Sequence, residues 1–364
     1  MTSSLPTQMQ AITVDGKSAA SLKTIDTPRV GPGMILVKVQ AVALNPTDWK
    51  HLDFFGNKDT TLGSDFVGTV VEKAPDAGDL VSVGDRVAGS VHGGAHVGFG
   101  AFAEYLVTYP AAVTAVPSSF QDLDAAGLGV GGFTALFGLF QPKHLGLPSP
   151  STTSLPPVDP SLKVLVWSGA TSVGQFAIQA ARAAGAYVIA TASPKNHEWL
   201  KSLGASETFD YADPQTPEAI AAQHPDLAHA FDTFSEKGSH EACARALTKN
   251  GPSKLVAILP FNPESVAAAN AQVKPTFLLL YTTSGKETRM FGGVFDEAYC
   301  QEDKAYMAKM GSADRGLFYQ LLNSGIVKPN RLMPQEGGLT KVLEGLDLLR
   351  HNKVSGQKLV YRFA

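Results

Sequence analysis

A glycine-rich turn in the sequence has the residue types and spacing that bind a dinucleotide. Residues 163–167 (KVLVW) form an apolar run typical of a buried parallel strand, and a predicted helix follows at residues 172–184. Gly169 permits a tight turn after the strand, and Gly174 lets the helix pack close to it. Thr171 replaces the usual middle glycine, so the prediction depends on the flanking strand and helix. The predicted cofactor-binding residues of this turn are Gly169, Ala170, Thr171, Ser172, Val173 and Gly174.

The next predicted strand spans residues 187–191. The residue types in the turn that follows it favour NADPH over NADH as the cofactor. In an NAD site an Asp or Glu at this strand end binds the ribose 2′-hydroxyl, and its carboxylate would repel a 2′-phosphate. This chain has no acid there. An ordinary polar turn is the alternative, but hydroxyl, ammonium and amide groups can donate hydrogen bonds to a phosphate. The predicted residues of this phosphate site are Ser193, Pro194, Lys195 and Asn196.

Alternating strand and helix patterns begin at about residue 122 and position both turns. Residues 123–140 are predicted to be helical, and residues 148–161, rich in Pro, Ser and Thr, to form an exposed loop. Further strands are predicted at residues 207–210, 228–234 and 254–259. This repetition predicts a doubly wound parallel sheet, whose ligands bind at the carboxyl ends of its strands. Ile258 and Leu259 close one strand at that edge and are therefore predicted to contact the cofactor.

The N-terminal third of the chain has a different pattern of predicted secondary structure. From residue 9 to about residue 115, short β-rich segments separated by Gly, Pro and Asp predict a compact, partly closed β-barrel. The final segment, residues 358–363, is expected to rejoin that barrel as a strand. The fold prediction is an α/β protein with two domains. A barrel domain would comprise residues 1–125 and 300–364, and a Rossmann domain that binds NADPH would comprise residues 126–299.

Composition argues against several classes of partner. The 364 residues carry a net charge of −3 with scattered Lys and Arg, so no nucleic-acid partner is predicted. Cys243 and Cys300 are the only cysteines, which favours a reducing, cytoplasmic setting. The polar N-terminus lacks the pattern of a signal peptide, and the longest apolar stretch, residues 128–140, is too short to span a bilayer. No membrane partner is predicted either.

The order of several motifs along the chain resembles the medium-chain dehydrogenase/reductase superfamily. These motifs are LNPTDWK (44–50), LGSDFVGTVVE (62–72), VGDRVAG (83–89), GAFAEYLV (100–107), GFTAL (132–136), SGATSVGQFAIQAARAAGAYVIATAS (168–193) and LGASETFDY (203–211). The chain is most similar to the zinc-free quinone oxidoreductase and enoyl reductase branch, in particular to trans-acting enoyl reductases of fungal polyketide synthases. The resemblance implies a GroES-like barrel beside the Rossmann domain, and a role in secondary metabolism.

The same resemblance implies that the chain binds no zinc. Zinc alcohol dehydrogenases of this superfamily bind the catalytic metal through Cys, His and Cys at positions that correspond here to Asn45, Ser64 and, less securely, Val130. None of these offers a thiolate or an imidazole, so the metal prediction is none. Asp65 corresponds to an acid beside the metal and is expected to orient neighbouring groups. His92 and His96 form a pair on a glycine-rich segment, interpreted as part of a polar loop.

The resemblance also implies site residues. It places the segment with Asn45, Thr47, Asp48, Trp49 and Lys50 beside the nicotinamide and its ribose. Lys50 matches a lysine proposed as general acid or cofactor anchor; a surface lysine is the alternative. Thr134 begins a pocket-lining stretch and is the second predicted catalytic residue. The predicted substrate residues are Thr134, Ala135, Leu136, Phe137, Gly138, Leu139, Phe140, Gln141, Leu280, Tyr281, Thr282 and Thr283, and the remaining cofactor contacts are Tyr211, Ser355 and Gly356.

These features predict an NADPH-dependent reductase that delivers a hydride to an activated carbon–carbon double bond. Without zinc, direct carbonyl reduction lacks its Lewis acid, whereas conjugate addition delocalises the charge into an enolate. The substrate would be an enoyl thioester, an unsaturated ketone or a quinone, either free or tethered to a carrier protein, with a polyketide synthase as a candidate partner. The alternatives are a carbonyl or alcohol dehydrogenase and a weakly catalytic NADPH-binding partner of a synthase.

Overall fold

A computed structural model describes residues 5–363 and divides the chain into two compact units. Unit 1 comprises Met1–Val130, Met307–Tyr319 and Pro329–Ala364, and unit 2 comprises Gly131–Tyr306 and Gln320–Lys328. The domain boundaries predicted from the sequence are 125/126 and 299/300; residues 126–130 instead belong to unit 1, and residues 300–306 and 320–328 to unit 2. Within residues 5–363, no helix combines the length and the apolar character needed to cross a membrane.

The strands are numbered in chain order. They are β1 (Gln8–Gly16), β2 (Ala19–Asp26), β3 (Ile35–Ala43), β4 (Asp65–Lys73), β5 (Arg86–Ser90), β6 (Tyr105–Thr108), β7 (Val113–Ala115), β8 (Asp159–Trp167), β9 (Ala186–Thr191), β10 (Glu207–Phe209), β11 (His229–Asp232), β12 (Ser253–Ala257), β13 (Val273–Phe277), β14 (Thr288–Met290), β15 (Gly293–Phe295), β16 (Leu332–Gln335) and β17 (Lys358–Arg362).

The helices follow the same numbering. They are α1 (Pro46–Lys50), α2 (Asp122–Ala126), α3 (Gly129–Phe140), α4 (Ser172–Ala183), α5 (His197–Ser202), α6 (Thr216–Gln223), α7 (Ser239–Ala246), α8 (Pro263–Ala269), α9 (Glu297–Met310), α10 (Leu317–Asn323) and α11 (Val342–Arg350). One turn of π-helix spans His51–Phe55, and short 3₁₀ turns span Pro110–Ala112, Pro194–Asn196, Leu280–Ser284 and Gly338–Lys341.

Unit 1 is built on a mainly antiparallel sheet, in which β16 runs parallel to β17. Its seven-stranded sheet has the order β16-β17-β3-β4-β5-β7, with β6 also paired to β3, and β1 and β2 form a separate hairpin. β17 runs antiparallel to β3 with Val360 opposite Ala43, which confirms that the C-terminal segment rejoins the N-terminal strands. The core between these strands is formed by apolar residues that include Ile35, Phe66 and Phe102.

Unit 2 contains a six-stranded parallel sheet of order β10-β9-β8-β11-β12-β13. The strand order reverses beside β8, so the carboxyl ends of β8 and β11 lie side by side at the topological switch point. This arrangement confirms the predicted doubly wound α/β fold. The glycine turn follows β8 directly, and α4 begins at Ser172 as expected.

Three predicted elements differ from the structure. The helix expected at residues 123–140 is broken at Gly127 and Leu128, and α2 and α3 lie on either side. Gly129, at the start of α3, makes a close approach, since a Cβ there would lie 2.2 Å from the carbonyl oxygen of Gly89. The loop expected to extend to residue 161 ends earlier, because Asp159 pairs with Ala186 and starts β8 in spite of its polar side chain.

The third difference concerns β12, which ends at Ala257 rather than at Leu259. The next N–H, that of Ile258, donates to the side-chain oxygen of Ser235 at 2.9 Å instead of continuing the sheet. Ile258 and Leu259 therefore follow the strand and do not close it, although they remain at its carboxyl end, where ligands of such sheets bind.

Candidate active site

The glycine turn of unit 2 has the geometry of a phosphate cradle. A Cβ at Gly174 would lie 2.7 Å from the Cα of Gly169 and 2.7 Å from the carbonyl oxygen of Ser168. Only glycine therefore lets the first turn of α4 pack this closely on the end of β8. Thr171 caps the helix, because its hydroxyl oxygen accepts the N–H of Gly174 at 3.0 Å. The remaining N–H groups at the start of a helix attract anions, so the residues present fit a dinucleotide pyrophosphate.

Thr233 supports this turn and is not predicted by any sequence motif. Its hydroxyl oxygen lies 2.9 Å from that of Thr171 and donates to the carbonyl of Trp167 at 2.7 Å. It thereby links the end of β11 to the end of β8. Its signal in the sequence was its place near the end of the strand predicted at residues 228–234, at the carboxyl edge of the sheet.

The residues predicted to bind the 2′-phosphate lie where β9 and β10 end. The N–H of Ala192 donates to the carbonyl of Phe209 at 3.0 Å, which joins the two strand ends. As a result the Ser193 hydroxyl oxygen lies 3.2 Å from the phenol oxygen of Tyr211, and 49% of Tyr211 is exposed. Pro194 and Lys195 lie exposed on the following 3₁₀ turn. Ser193 and Lys195, predicted partners of a 2′-phosphate, thus lie at the same exposed edge as Tyr211, a predicted cofactor contact.

Asn196 has a different environment. Only 6% of it is exposed, and it precedes helix α5 at the end of the 3₁₀ turn. The amide is polar enough to bind phosphate, but burial limits the access of a ligand to it. Its assignment as a phosphate contact stays a prediction.

In unit 1 the segment around α1 forms a buried polar cluster. Asp48 accepts the backbone N–H of Asn45 on Oδ2 and the hydroxyl of Ser64 on Oδ1, both at 2.7 Å. Burial of the Asp48 carboxyl, which is 1% exposed, raises its pKa from 3.8 to about 7. Asp48 therefore fixes the start of α1 from inside. Its predicted contact with the cofactor would have to pass through the residues that cover it.

Asp65 organises a second part of this cluster. Its Oδ1 atom accepts the backbone N–H of Val130 at 2.6 Å, and its Oδ2 atom accepts the side-chain amide of Asn45 at 2.9 Å. The Lys358 ammonium lies 3.0 Å from the same Oδ2 atom. The expectation that Asp65 orients neighbouring groups agrees with these contacts. Lys358 is a member of the cluster that the sequence does not reveal.

These contacts test whether zinc fits. The three positions that correspond to zinc ligands carry an amide, a hydroxyl and an aliphatic side chain, and all three residues are hydrogen-bonded to Asp65 or Asp48. The Lys358 ammonium lies within hydrogen-bonding distance of Asn45 and Asp65 and would repel a dication. Among residues 5–363, no three His, Cys, Asp or Glu side chains are arranged to hold a metal ion. The residue types present do not fit a catalytic zinc ion.

Lys50 closes α1 and is partly buried beside an aromatic side chain. Its Nζ atom lies 5.7 Å from the ring centroid of Trp49. The chain then continues as the π-helical turn His51–Phe55. Such turns are rare in proteins, and those that occur often lie at functional sites. Arg350 of α11 holds this turn through two hydrogen bonds to Asp53, at 2.8 and 2.9 Å. The turn that directly follows Lys50 is thus held by an ion pair, and Lys50 itself is half-buried.

His51 and His92 form a contact that the motif analysis does not predict. Their Nε2 atoms are 2.9 Å apart, and His51 Nδ1 lies 2.8 Å from the carbonyl oxygen of Thr47. A carbonyl only accepts, so neutral His51 donates from Nδ1, and His92 donates from Nε2 to His51. Burial lowers the pKa of His92 to about 3. The interpretation of residues 92–96 as a plain polar loop therefore omits a contact between buried His51 and half-buried His92; His96 itself is exposed.

Helix α3, which contains most of the predicted substrate residues, is buried along its length. Thr134 is 5% exposed, and Ala135 and Leu139 are fully buried. Gly138 admits a neighbouring ring, since a Cβ there would lie 2.4 Å from Phe231. Much of this helix is therefore core, and its role as pocket lining stays a prediction. Leu136, Phe137 and Phe140 are buried as well.

Two of the predicted substrate residues share one buried partner within unit 2. Asp303 of α9 accepts the side-chain amide of Gln141 at 2.7 Å and the hydroxyl of Thr282 at 2.5 Å. Lys143 pairs with the same carboxylate at 2.6 Å. Gln141 and Thr282 are fully buried, so the structure shows them as supports of the predicted substrate region. Leu280, Tyr281 and Thr283 lie on the same 3₁₀ turn as Thr282.

The late predicted cofactor contacts, Ser355 and Gly356, lie in the turn that precedes β17. Ser355 is exposed, and Gly356 has a φ of 67°, a left-handed conformation that favours glycine. Their role in cofactor binding stays a prediction. The turn leads directly to Lys358.

Parts of both units match known protein families. Residues 31–118 match the family described as "Alcohol dehydrogenase GroES-like domain", and residues 172–294 match the family described as "Zinc-binding dehydrogenase". Over 366 aligned residues the chain is 36% identical to the trans-enoyl reductase caaB of Aspergillus niger, and the alignment covers 98% of each protein.

Two solved structures illustrate the shared fold. A quinone oxidoreductase from Coxiella burnetii superimposes with a TM-score of 0.70 at 24% identity, over 98% of this chain and 100% of that one. The mycobacterial protein Rv1454c, solved in complex with NADPH, superimposes with a TM-score of 0.69 at 22% identity, with the same coverage. These similarities confirm the GroES-like and Rossmann folds of the two units.

Proposed function

The chain belongs to the trans-enoyl reductase branch of the medium-chain dehydrogenase/reductase superfamily, and from that premise we propose that it reduces an activated carbon–carbon double bond with NADPH and without a metal ion. The substrate is an enoyl thioester, an α,β-unsaturated ketone or a quinone. In the narrower form of the proposal, the enzyme acts in trans on a chain tethered to the carrier protein of a polyketide synthase, as the name of its Aspergillus niger relative suggests.

The observation that carries the proposal is the identity of the residues at the metal-binding positions of the superfamily. Asn45 and Ser64 are engaged with Asp65 and Asp48, and the Lys358 ammonium lies beside them. A carbonyl substrate would find no Lewis acid among these side chains, although one family description names zinc. Conjugate reduction does not need one, because the negative charge spreads from the β-carbon into an enolate that hydrogen-bond donors can stabilise.

The chain's own residues then have separate tasks. Gly169 and Gly174 leave room for the pyrophosphate at the start of α4, and Ser193, Lys195 and Tyr211 bind the 2′-phosphate. NADPH supplies the hydride when bound. Lys50 holds a proton or a cofactor oxygen at its ammonium group, on a segment braced by Arg350 and Asp53.

The proposal is tested by following NADPH consumption by the whole protein with crotonyl-type thioesters, simple quinones and simple ketones. We expect oxidation of NADPH with thioesters or quinones, at a rate that a metal chelator does not change. Activity on simple ketones that is lost on chelation would support a carbonyl dehydrogenase instead. NADPH binding without oxidation across the whole panel would support a cofactor-binding partner and contradict a reductase.

A further inference from the structure

A lysine side chain is buried in the polar cluster of unit 1. Lys358, the first residue of β17, is only 4% exposed. The pairing of β17 with β3 and the hydrogen bond from the N–H of Leu44 to the carbonyl of Leu359, at 3.0 Å, fix its position beside Asn45. Its aliphatic stem runs past Gly127, where a Cβ would lie 3.1 Å from Lys358 Cγ. Three segments of the chain, which contain Asn45, Gly127 and Leu359, thus lie around this side chain.

The head group of Lys358 completes a closed set of contacts. Its ammonium donates to the Oδ1 atom of Asn45 and lies 3.0 Å from Oδ2 of Asp65. The Nδ2 atom of Asn45 donates to that same Oδ2 at 2.9 Å. Ammonium, amide and carboxylate therefore form a triangle in which each group contacts the other two. The amide of Asn45 has one fixed orientation, because its oxygen faces a cation and its nitrogen faces an anion.

Charge makes this arrangement interdependent. A buried charge is tolerated only when it is paired and hydrogen-bonded, and loss of one partner leaves the other uncompensated. Asp65 is fully buried, and its second oxygen is already used by the N–H of Val130. Without Lys358, the Asp65 carboxylate would keep only neutral donors. Asn45 would lose the cation that contacts its side-chain oxygen Oδ1.

We propose that Lys358 is the built-in cation of this site, a positioning residue that holds Asn45 where its free amide capacity can serve the cofactor. The triangle uses one of the two Nδ2 hydrogens of Asn45. Asn45 is 3% exposed, so the second hydrogen can reach a ligand only through this small exposed part of the residue. Relatives that bind a metal hold a divalent cation at this position. Here the Lys358 ammonium, a monovalent cation of the chain itself, contacts the residues of that position. The inference rests on the proposed function only in taking the ligand of Asn45 to be the nicotinamide cofactor.

The experiment compares Lys358→Met, which keeps the stem and removes the charge, with Lys358→Arg, which keeps a charge. Lys163→Met is the matched control, because Lys163 is also a strand lysine that pairs with an aspartate, Asp226, at 2.5 Å. NADPH binding is measured by cofactor fluorescence without substrate. We expect Lys358→Met to raise the dissociation constant about tenfold, the effect of losing the one hydrogen bond from Asn45 to the cofactor that Lys358 is proposed to align. Lys358→Arg should restore part of the affinity, and the control should bind like the wild type.

A second variant covers the case in which Lys358→Met does not fold. The double variant Lys358→Met/Asp65→Asn removes both charges, so no unpaired charge remains buried. We expect it to fold and still to bind NADPH about tenfold more weakly than the wild type. A folded double variant that binds NADPH within about twofold of the wild type would overturn the inference.

A readout independent of the cofactor separates this inference from the proposed function. The side-chain amide protons of Asn45, identified by their loss in Asn45→Ala, are followed by hydrogen exchange in nuclear magnetic resonance spectra. We expect slow exchange in the wild type and exchange at least about tenfold faster in the double variant. Equal protection in the two proteins would contradict the positioning role, even if the wild type bound no NADPH. Failure of the wild type to reduce any double bond would contradict the proposed function alone.

Discussion

The phenol oxygen of Tyr211 lies 3.2 Å from the hydroxyl oxygen of Ser193, although 18 residues separate them in sequence. The two side chains meet because β9 and β10 run parallel and end together. No carboxylate follows β9 at this position, and Lys195 lies exposed on the adjacent turn. This edge of unit 2 is therefore suited to a phosphate group on the ribose.

The first prediction concerns the choice of cofactor. Lys195→Ala should raise the KM for NADPH about tenfold, because an ammonium–phosphate hydrogen bond is lost, and should leave the KM for NADH nearly unchanged. Steady-state assays with both cofactors measure the effect. Lys201→Ala, on the next helix and paired with Glu198 at 2.9 Å, is the matched control and should behave like the wild type. A Lys195→Ala enzyme with unchanged preference for NADPH would remove Lys195 from the phosphate site.

The second prediction concerns the glycine cradle. Gly174→Ala should weaken NADPH binding about tenfold or more, since the new methyl group would displace the turn around Gly169 and Ser168. Fluorescence titration measures the dissociation constant. Gly251→Ala is the control, because a Cβ at Gly251 meets nothing within 4 Å. If both variants bound NADPH equally well, the close approach at Gly174 would not serve the cofactor.

The third prediction separates two roles of Lys50. As a general acid, Lys50 should tolerate neither Ala nor Arg, because arginine does not give up its proton; kcat should fall about a hundredfold or more in both. As a cofactor anchor, it should tolerate Arg. We expect the first pattern, with the NADPH dissociation constant of Lys50→Ala changed far less than kcat. Near-normal turnover of Lys50→Ala would exclude Lys50 from the mechanism.

The fourth prediction concerns acid stability. Burial lowers the pKa of His92 from 6.5 to about 3, so between these values the unfolded chain binds a proton that the folded chain does not. The free energy of unfolding should therefore decrease as pH falls through this window, by about 1.4 kcal/mol per pH unit for this group. His92→Gln should reduce that slope in urea unfolding at several pH values, and His96→Gln, on the exposed neighbour, should not. Equal slopes in the wild type and His92→Gln would contradict a His92 that stays neutral in the folded protein.

Local sequence patterns predicted the elements that depend on local signals. The apolar run before Ser168 predicted β8, and the small residues after it predicted the turn that Gly174 makes possible. The absence of an acid after Thr191 predicted a phosphate site, and this site stays a prediction; the structure shows that Ser193 and Tyr211 lie close together at this strand end. These features follow from residue types and short spacings, which a single sequence contains.

Contacts between distant residues could not be predicted in this way. Lys358 and Asn45 are 313 residues apart, and only the register of β17 against β3 brings them together. His51 and His92 meet across 41 residues through a turn that has no motif. In the sequence, Lys358 is one lysine before an apolar strand, which resembles an ordinary strand end. The partners of such groups are decided by tertiary packing and not by their neighbours in the chain.

The most direct test of the account follows the hydride itself. The whole protein, treated with a chelator, is given a crotonyl thioester and NADPH deuterated at the transferable position, and the product is analysed by mass spectrometry and nuclear magnetic resonance. The account predicts a saturated thioester that carries deuterium on the β-carbon. Deuterium on a carbonyl carbon, or transfer only after a divalent metal ion is restored, would contradict it.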